Sequence, residues 1–201
     1  MSEVAEEPVR TRDPARKERI LSAAADLVAR RGYHAVAMAD IGAAAGVTGS
    51  AIYRHFESKS AVLVALFDRV IDALLSNAGR IVEEAAEERA ALTLLVRDQV
   101  SFAIDDREVL QVYMREINNL PDEDRRRLRR KQRLYLEEWV HVLGELRPGL
   151  LDTEARALVH AAIGGIQSVL HYRSGLPDDR LAELVTGAAH ATLGVPVTST
   201  A

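Results

Sequence analysis

Thr48, Gly49, Ser50, Tyr53, Arg54 and His55 stand close together, with Lys59 just beyond them. Short hydroxyls, a guanidinium and hydrogen-bonding rings in one short stretch suit the base edges and phosphate oxygens of a DNA duplex. The apolar residues of the same stretch, Ile41, Ala44, Val47 and Ile52, fall where two short helices would bury them, and Gly46 stands between the two. That is the layout of a helix-turn-helix, in which the second helix reads DNA. Ala44 and Ala45 are small enough for close packing of that helix, and Thr48 is placed to cap it with its hydroxyl.

The elements that must hold this stretch are all predicted to be helical. Aromatic residues make up only 4% of the chain, Ala, Leu, Arg and Glu are abundant, and only His34 to Asp40 alternates briefly with period two. Asp13 and Pro14 open a first helix whose Ile20, Ala24, Leu27 and Val28 share one face until Gly32 stops it. The second helix is expected over 40–45, and a third carries Ile52, Tyr53 and Phe56. Ser58 caps a long fourth helix with a stripe of Leu63, Leu66, Phe67, Val70, Ile71 and Leu74. Five more helices are expected at roughly 89–104, 106–118, 122–145, 153–172 and 178–193, separated by turns at 118–121, 147–149 and 174–177.

The 201 residues contain no cysteine, which removes disulfides, thiolate zinc sites and cysteine nucleophiles. No apolar run is long enough to span a bilayer and the first residues are too polar for a signal peptide, so a cytoplasmic protein with no membrane partner is expected. The net charge of −4 hides a division. From Arg10 to Ser60 nine Lys and Arg face five acids, whereas from Ala61 onward 17 face 22. A basic first part joined to an acidic larger part suggests that only the first meets a polyanion.

The pattern from Val47 to Lys59, preceded by Gly32-Tyr33, Ile41 and Ala45-Gly46 and ending in Tyr53-x-His55-Phe56-x-x-Lys59, resembles the DNA-binding domain of TetR/AcrR-type transcriptional regulators. The resemblance covers about residues 14–62. It implies an all-α chain: a disordered arm over 1–13, a helix-turn-helix domain over 14–60, a helical ligand-binding and dimerisation domain over 61–194, and a disordered tail over 195–201. It also implies that Tyr53, His55 and Lys59 touch the DNA backbone, that Thr48, Gly49, Ser50 and Arg54 lie near base edges, and that Arg12 and Arg16 reach phosphates. Two positions depart from the family pattern. Ala37 stands where a threonine often caps the second helix, and Ser50 replaces a common glycine in the reader helix.

A palindromic operator requires two reader helices at fixed spacing, hence a homodimer. Ala162, Ile166, Val169, Leu181, Leu184, Val185 and Ala188 form apolar faces on the last two helices, which pair into a four-helix bundle in this family, and Gly164-Gly165 permits close approach. For the effector, Phe102, Tyr113, Trp139, Leu143 and Ile163 are the candidate apolar lining, with Arg115, Glu116, Asn119, His141 and Gln167 as polar groups. This supply favours a small hydrophobic effector. The stretch from Tyr113 to Trp139 is similar to regulators of lipid metabolism that answer to acyl-CoA, and the arginines between Arg125 and Arg133 are either a CoA phosphate site or a solvated face. The expected function is thus a ligand-responsive repressor that its effector releases from DNA.

Two other classes compete. Glu138-x-x-His141 has the spacing of a carboxylate-bridged metal site, but the motif occurs once where such a site needs two. His160 and His171 would stand about 16 Å apart along one helix, too far to share a metal. A helical protein-interaction module that no longer reads DNA is the other alternative. No hydrolase, protease, Walker or dinucleotide fingerprint occurs, so no enzyme, catalytic residue or cofactor is expected.

Overall fold

A computed structural model of the chain describes residues 14–196. Among them are nine α-helices and no strand: α1 (Pro14–Arg31), α2 (Met38–Ala44), α3 (Gly49–Ile52), α4 (Lys59–Glu84), α5 (Glu88–Asp105), α6 (Arg107–Glu116), α7 (Asp122–Leu146), α8 (Asp152–Gln167) and α9 (Asp178–Leu193). Short 3-10 turns extend α6 over Ile117–Asn119 and follow α8 over Ser168–Leu170, so the single helices expected at 106–118 and 153–172 each tighten in their last turn. The residues expected to be a disordered arm lie outside the described range. So do residues 197–201 of the expected tail, but Val195 is buried and its backbone carbonyl faces the His190 ring at 2.9 Å, so the ordered chain runs past residue 194.

The chain starts and stops its helices by local chemistry. Ser58 caps α4 through its Oγ, which accepts the Ala61 N–H at 3.1 Å. Helix α2 begins two residues earlier than its apolar pattern indicates. The Asp40 carboxylate reaches back to accept the Ala37 N–H at 2.9 Å, the half of a capping box that needs no hydroxyl at position 37.

Two apolar cores are stacked along α4. The first joins Ile20, Ala24 and Val28 of α1, Ile41 of α2 and Ile52 of α3 to Leu63, Leu66 and Phe67 of α4, and continues into Val112 and Tyr113 of α6 and Leu128 of α7. The second gathers Leu74 and Ala78 of α4 with Leu92 and Val96 of α5, Trp139 and Leu143 of α7, Val159 and Ile166 of α8, and Leu193 of α9. A division at residue 60 therefore cuts through packed side chains, since the first turns of α4 belong to the first core. Side chains of this size contribute roughly 1.5–3 kcal/mol each when fully buried, so α4 is held firmly at both ends and links them mechanically.

Ion pairs fix the register of α7 on α4. Arg127 donates to both carboxylate oxygens of Asp68, at 2.5 and 2.6 Å, and the Lys131 ammonium bridges Asp68 and Asp72 at 2.8 and 2.7 Å. Partial burial raises the Asp68 pKa, but hydrogen bonds from Arg127 and Lys131 outweigh it and hold the carboxyl below the usual range.

Candidate nucleic-acid interface and effector chamber

The short α3 presents two contrasting faces. Ala51, Ile52 and Phe56 are buried, while Thr48, Ser50, Tyr53 and Arg54 are exposed and His55 is half-buried. Tyr53, at 57% exposure, is among the most exposed large side chains described. Gly49 starts the helix. Thr48 occupies the cap position, yet its hydroxyl makes no cap hydrogen bond; its backbone carbonyl accepts the Ala51 and Ile52 N–H groups instead. The hydroxyl stays available for an outside acceptor.

Gly42 and Gly46 set the crossing of α2 and α3. A Cβ on Gly42 would stand 3.1 Å from the Val47 carbonyl oxygen and 3.8 Å from the Ile52 side chain, so the two helices meet at this glycine. Gly46 takes φ +66°, the left-handed region that a turn after α2 requires. Ala45 is buried as expected, but Ala44 is exposed and does not carry the close contact. The signal was present in the sequence as a glycine inside a helical pattern.

Lys59 is placed inward, against the expectation of a phosphate contact. Its ammonium donates to the Tyr33 carbonyl at 2.6 Å and the Val36 carbonyl at 2.7 Å, and it lies 4.2 Å from the centre of the Tyr33 ring. The turn between α1 and α2 leaves these two carbonyls without helical partners, and a charged donor satisfies both. Arg16 is exposed on α1, while Arg12 lies outside the described residues.

The effector candidates separate into three groups. Tyr113, Ile163 and Gln167 do line one enclosed chamber, together with Val70, Ile71, Leu74, Gln99, Leu110, Gln132, Tyr135 and Leu136 from α4, α5, α6 and α7. Its free space is about 30 Å³, enough for little more than a water or two. Trp139 and Leu143 are fully buried in the adjoining core, and half-buried Phe102 packs on that core. Arg115 is exposed and donates to the Ala29 carbonyl at 3.2 Å, which ties α6 to α1; it does not reach the chamber. Of the other polar candidates, Glu116 accepts from Asn119 at 2.6 Å, and exposed His141 lines a separate groove.

Chamber polarity comes from neutral groups. Tyr135 donates to Gln99 Oε1 at 2.6 Å and Tyr113 to Gln132 Oε1 at 3.4 Å. Burial raises both phenol pKa values, in Tyr113 against the lowering field of Arg129. Both phenols therefore stay protonated as donors. Gln99, Gln132 and Tyr135 were absent from the sequence-level candidates because polar residues at helical spacing give no apolar signal.

Arginines run along α7 beside the chamber's Gln132 and Leu136. Arg127 is consumed by Asp68 and Asp124, Arg125 pairs with Asp122, and Arg129 donates to the Asn118 side chain. Arg126, Arg130 and Arg133 are exposed and form no ion pair among the described residues. They follow one helical face with a rise of about 10.5 Å from first to last.

On α8, Ala162, Ile166 and Val169 turn into the chain's own core, at 1%, 1% and 6% exposure. On the opposite face Ala161, Gly164, Gly165 and Ser168 are exposed. On α9, Leu184 and Ala188 are exposed, while Leu181 and Val185 are half-buried against the core. Among the described residues no three His, Cys, Asp or Glu side chains are placed to hold a metal ion, and no helix is long and apolar enough to cross a membrane.

Residues 20–66 match the family model described as bacterial regulatory proteins, tetR family, and residues 83–171 match one described as tetracyclin repressor-like, C-terminal domain. The HTH-type transcriptional repressor KstR2 of Rhodococcus jostii is 29% identical over 110 residues, covering 55% of this chain and 54% of that protein, so the match spans about half the relative's length. The fatty acid metabolism regulator protein of Bacillus subtilis is 25% identical over 150 residues, covering 72% of this chain and 77% of the relative. Among solved structures, a TetR-family transcriptional regulator from Bordetella parapertussis superposes with a TM-score of 0.78 at 25% identity, covering 89% of this chain and 95% of that one. FadR from Bacillus subtilis, solved in complex with stearoyl-CoA, has the same fold, with a TM-score of 0.70 at 20% identity over 92% of this chain and 99% of that one. The outward polar face of α3 on a buried apolar base and the two matched family models together place the chain in the TetR family of DNA-binding transcriptional regulators.

Proposed function

We propose that the chain is a dimeric repressor that binds a palindromic operator through α3 and is released by a small acyl-CoA-type effector. The carrying observation is the α3 surface: Thr48, Ser50, Tyr53 and Arg54 point outward from a base that Ile52 and Phe56 bury. Ser50 and Arg54 act as base readers, while Tyr53 and His55 hold the phosphate backbone. Lys59 acts one step back, by fixing the turn that aims α1 and α2. Dimerisation uses the outer faces of α8 and α9.

An acyl-CoA fits the effector domain in two parts. The chamber supplies an apolar lining and neutral donors for a tail, and the unpaired arginines on the exposed face of α7 supply cations for phosphates that stay outside it. Support also comes from relatives: the Bacillus subtilis protein is a fatty acid metabolism regulator, and FadR holds stearoyl-CoA. Because the chamber is closed, a tail enters only an opened arrangement of α4, α6 and α7. The free energy that the ligand spends on opening shifts α4, which both cores grip, and with it the spacing of the two reader helices.

The test is release of a selected duplex by acyl-CoA compounds of graded chain length, read by fluorescence anisotropy, with coenzyme A and the matching fatty acids as controls. Release by a thioester but by neither half supports the reading. Unchanged duplex affinity at saturating acyl-CoA overturns the effector assignment.

A further inference from the structure

A second apolar concavity lies apart from the interior chamber. It is a groove of about 530 Å³ between α5 and α9, about the size of a small-molecule site and far larger than the chamber's 30 Å³. Val100, Ile104 and Ala182 form its floor, with Thr186 and Gly187 along the α9 wall. Its rim is strongly one-sided: Asp105, Asp178, Asp179 and Glu183 stand against the single cation Arg97.

Two of these acids have little else to do. Asp105 accepts only the neutral Ser101 hydroxyl, at 2.6 Å, and the solvent-exposed pairing of Glu183 with Arg180, at 2.8 Å, is of the weak kind. Asp178 and Asp179 form the first turn of α9, where negative charge complements the helix dipole. Even with Arg180 beside Glu183, acids outnumber cations around the apolar floor, which repels fatty acids and phosphates and attracts a cation with an apolar body. The groove also lies on the opposite side of α9 from Leu184 and Ala188, so a dimer across that outer face leaves it open.

We propose that this groove is a second ligand site, separate from the acyl-CoA chamber, that takes a small lipophilic cation such as a bulky amine or a quaternary ammonium or phosphonium ion. The apolar body covers Val100, Ile104 and Ala182, and the positive centre sits toward Asp105 and Glu183. An occupant there presses on α9, one of the two helices expected to hold the dimer, so its binding is linked to subunit pairing rather than to opening of the chamber.

The experiment measures calorimetric binding of tetraphenylphosphonium and of its near-isosteric anion tetraphenylborate to the full-length protein without DNA. The cation is expected to bind at least tenfold more tightly than the anion. Two variants locate the site: Asp105→Asn with Glu183→Gln removes charge from the rim, and Ala182→Phe fills the floor. Each is expected to weaken cation binding at least tenfold while leaving duplex binding intact. Equal affinity for cation and anion overturns the proposal, as does cation binding that both variants retain, which would move the ligand to the interior chamber. Because the calorimetric titrations contain neither DNA nor acyl-CoA, failure here is distinguishable from failure of the repressor reading.

Discussion

The ammonium of Lys59 stands 2.6 Å from the carbonyl oxygen of Tyr33, 26 residues earlier in the chain, and also caps Val36. One side chain at the start of α4 therefore holds the turn between α1 and α2, and it ties the long helix shared by both cores to the helix-turn-helix.

Replacing Lys59 with Met keeps the aliphatic stem and removes the charged donor. Two carbonyls lose a charged donor, Tyr33 keeping only the long bond from the Val36 N–H at 3.4 Å, and hydrogen bonds to a charged group contribute about 1.5–3 kcal/mol each. Melting is expected to fall accordingly, by several degrees at roughly 2–4 °C per kcal/mol for a chain of this size. The salt dependence of residual duplex binding is expected to stay unchanged. A fall of about 0.9 in the log-log slope per subunit would instead identify Lys59 as a phosphate ligand.

Arg54 and Tyr53 are both exposed at the end of α3, and the proposal gives them different roles. Arg54→Ala is expected to cost about 1–3 kcal/mol on the preferred duplex and to relax preference at one base position. Tyr53→Phe should weaken all duplexes alike. Binding measured across a panel of single-base operator variants separates the two, and an equal loss for Arg54→Ala on every duplex rules it out as a base reader.

An added Cβ at Gly164 meets nothing within 4 Å inside one chain. Gly164→Trp is therefore expected to leave the subunit folded by circular dichroism yet shift it to monomer in sedimentation. Ile166→Ala, in the core at 1% exposure, should instead cost about 2–5 kcal/mol of stability at any protein concentration. A dimeric Gly164→Trp variant would place the interface elsewhere.

Asp68 and Asp98 predict opposite responses to acid. Burial raises the Asp98 pKa, against weaker opposing effects of Asn77 and Arg80, and its Oδ2 has no hydrogen-bond partner. A raised pKa contributes stability only below the ordinary carboxylate value of about 4, and that contribution is lost as pH rises through the folded value. Asp98→Asn should therefore raise the melting temperature at pH 7, with the gain disappearing toward pH 3. The Asp68 pKa is lowered, so its contribution is present above about pH 4 and is lost as pH falls through the folded value. Asp68→Asn should cost stability at pH 7 and progressively less in acid. Melting curves of both variants across this range check the signs.

The helices were legible because apolar spacing along α1, α4 and α9 is regular and Ser58, Gly32 and the Pro-containing turns mark ends. The start of α2 was less so, since Asp40 caps it from inside and Ala37 gives no signal. The outward face of α3 followed directly from Ile52 and Phe56, whereas the inward turn of Lys59 depends on two carbonyls contributed by a distant turn. On α8, apolar residues indicate which face is buried but not what buries it. Ala162, Ile166 and Val169 are buried in the chain's own core, and the small residues of the opposite face stay exposed. Of the interior chamber, Tyr113, Ile163 and Gln167 are legible in the sequence as lining candidates, but the residues they meet from α4, α5 and α7 are brought in only by tertiary packing.

The most direct test of the central claim is selection of duplexes from a random pool at near-physiological salt by the full-length protein, repeated with Arg54→Ala. The account predicts a palindromic winner for the wild type and relaxed preference within each half-site for the variant. Absence of any enriched sequence, with duplex binding no stronger than that of the variant, would contradict it and leave a helical module that does not read DNA.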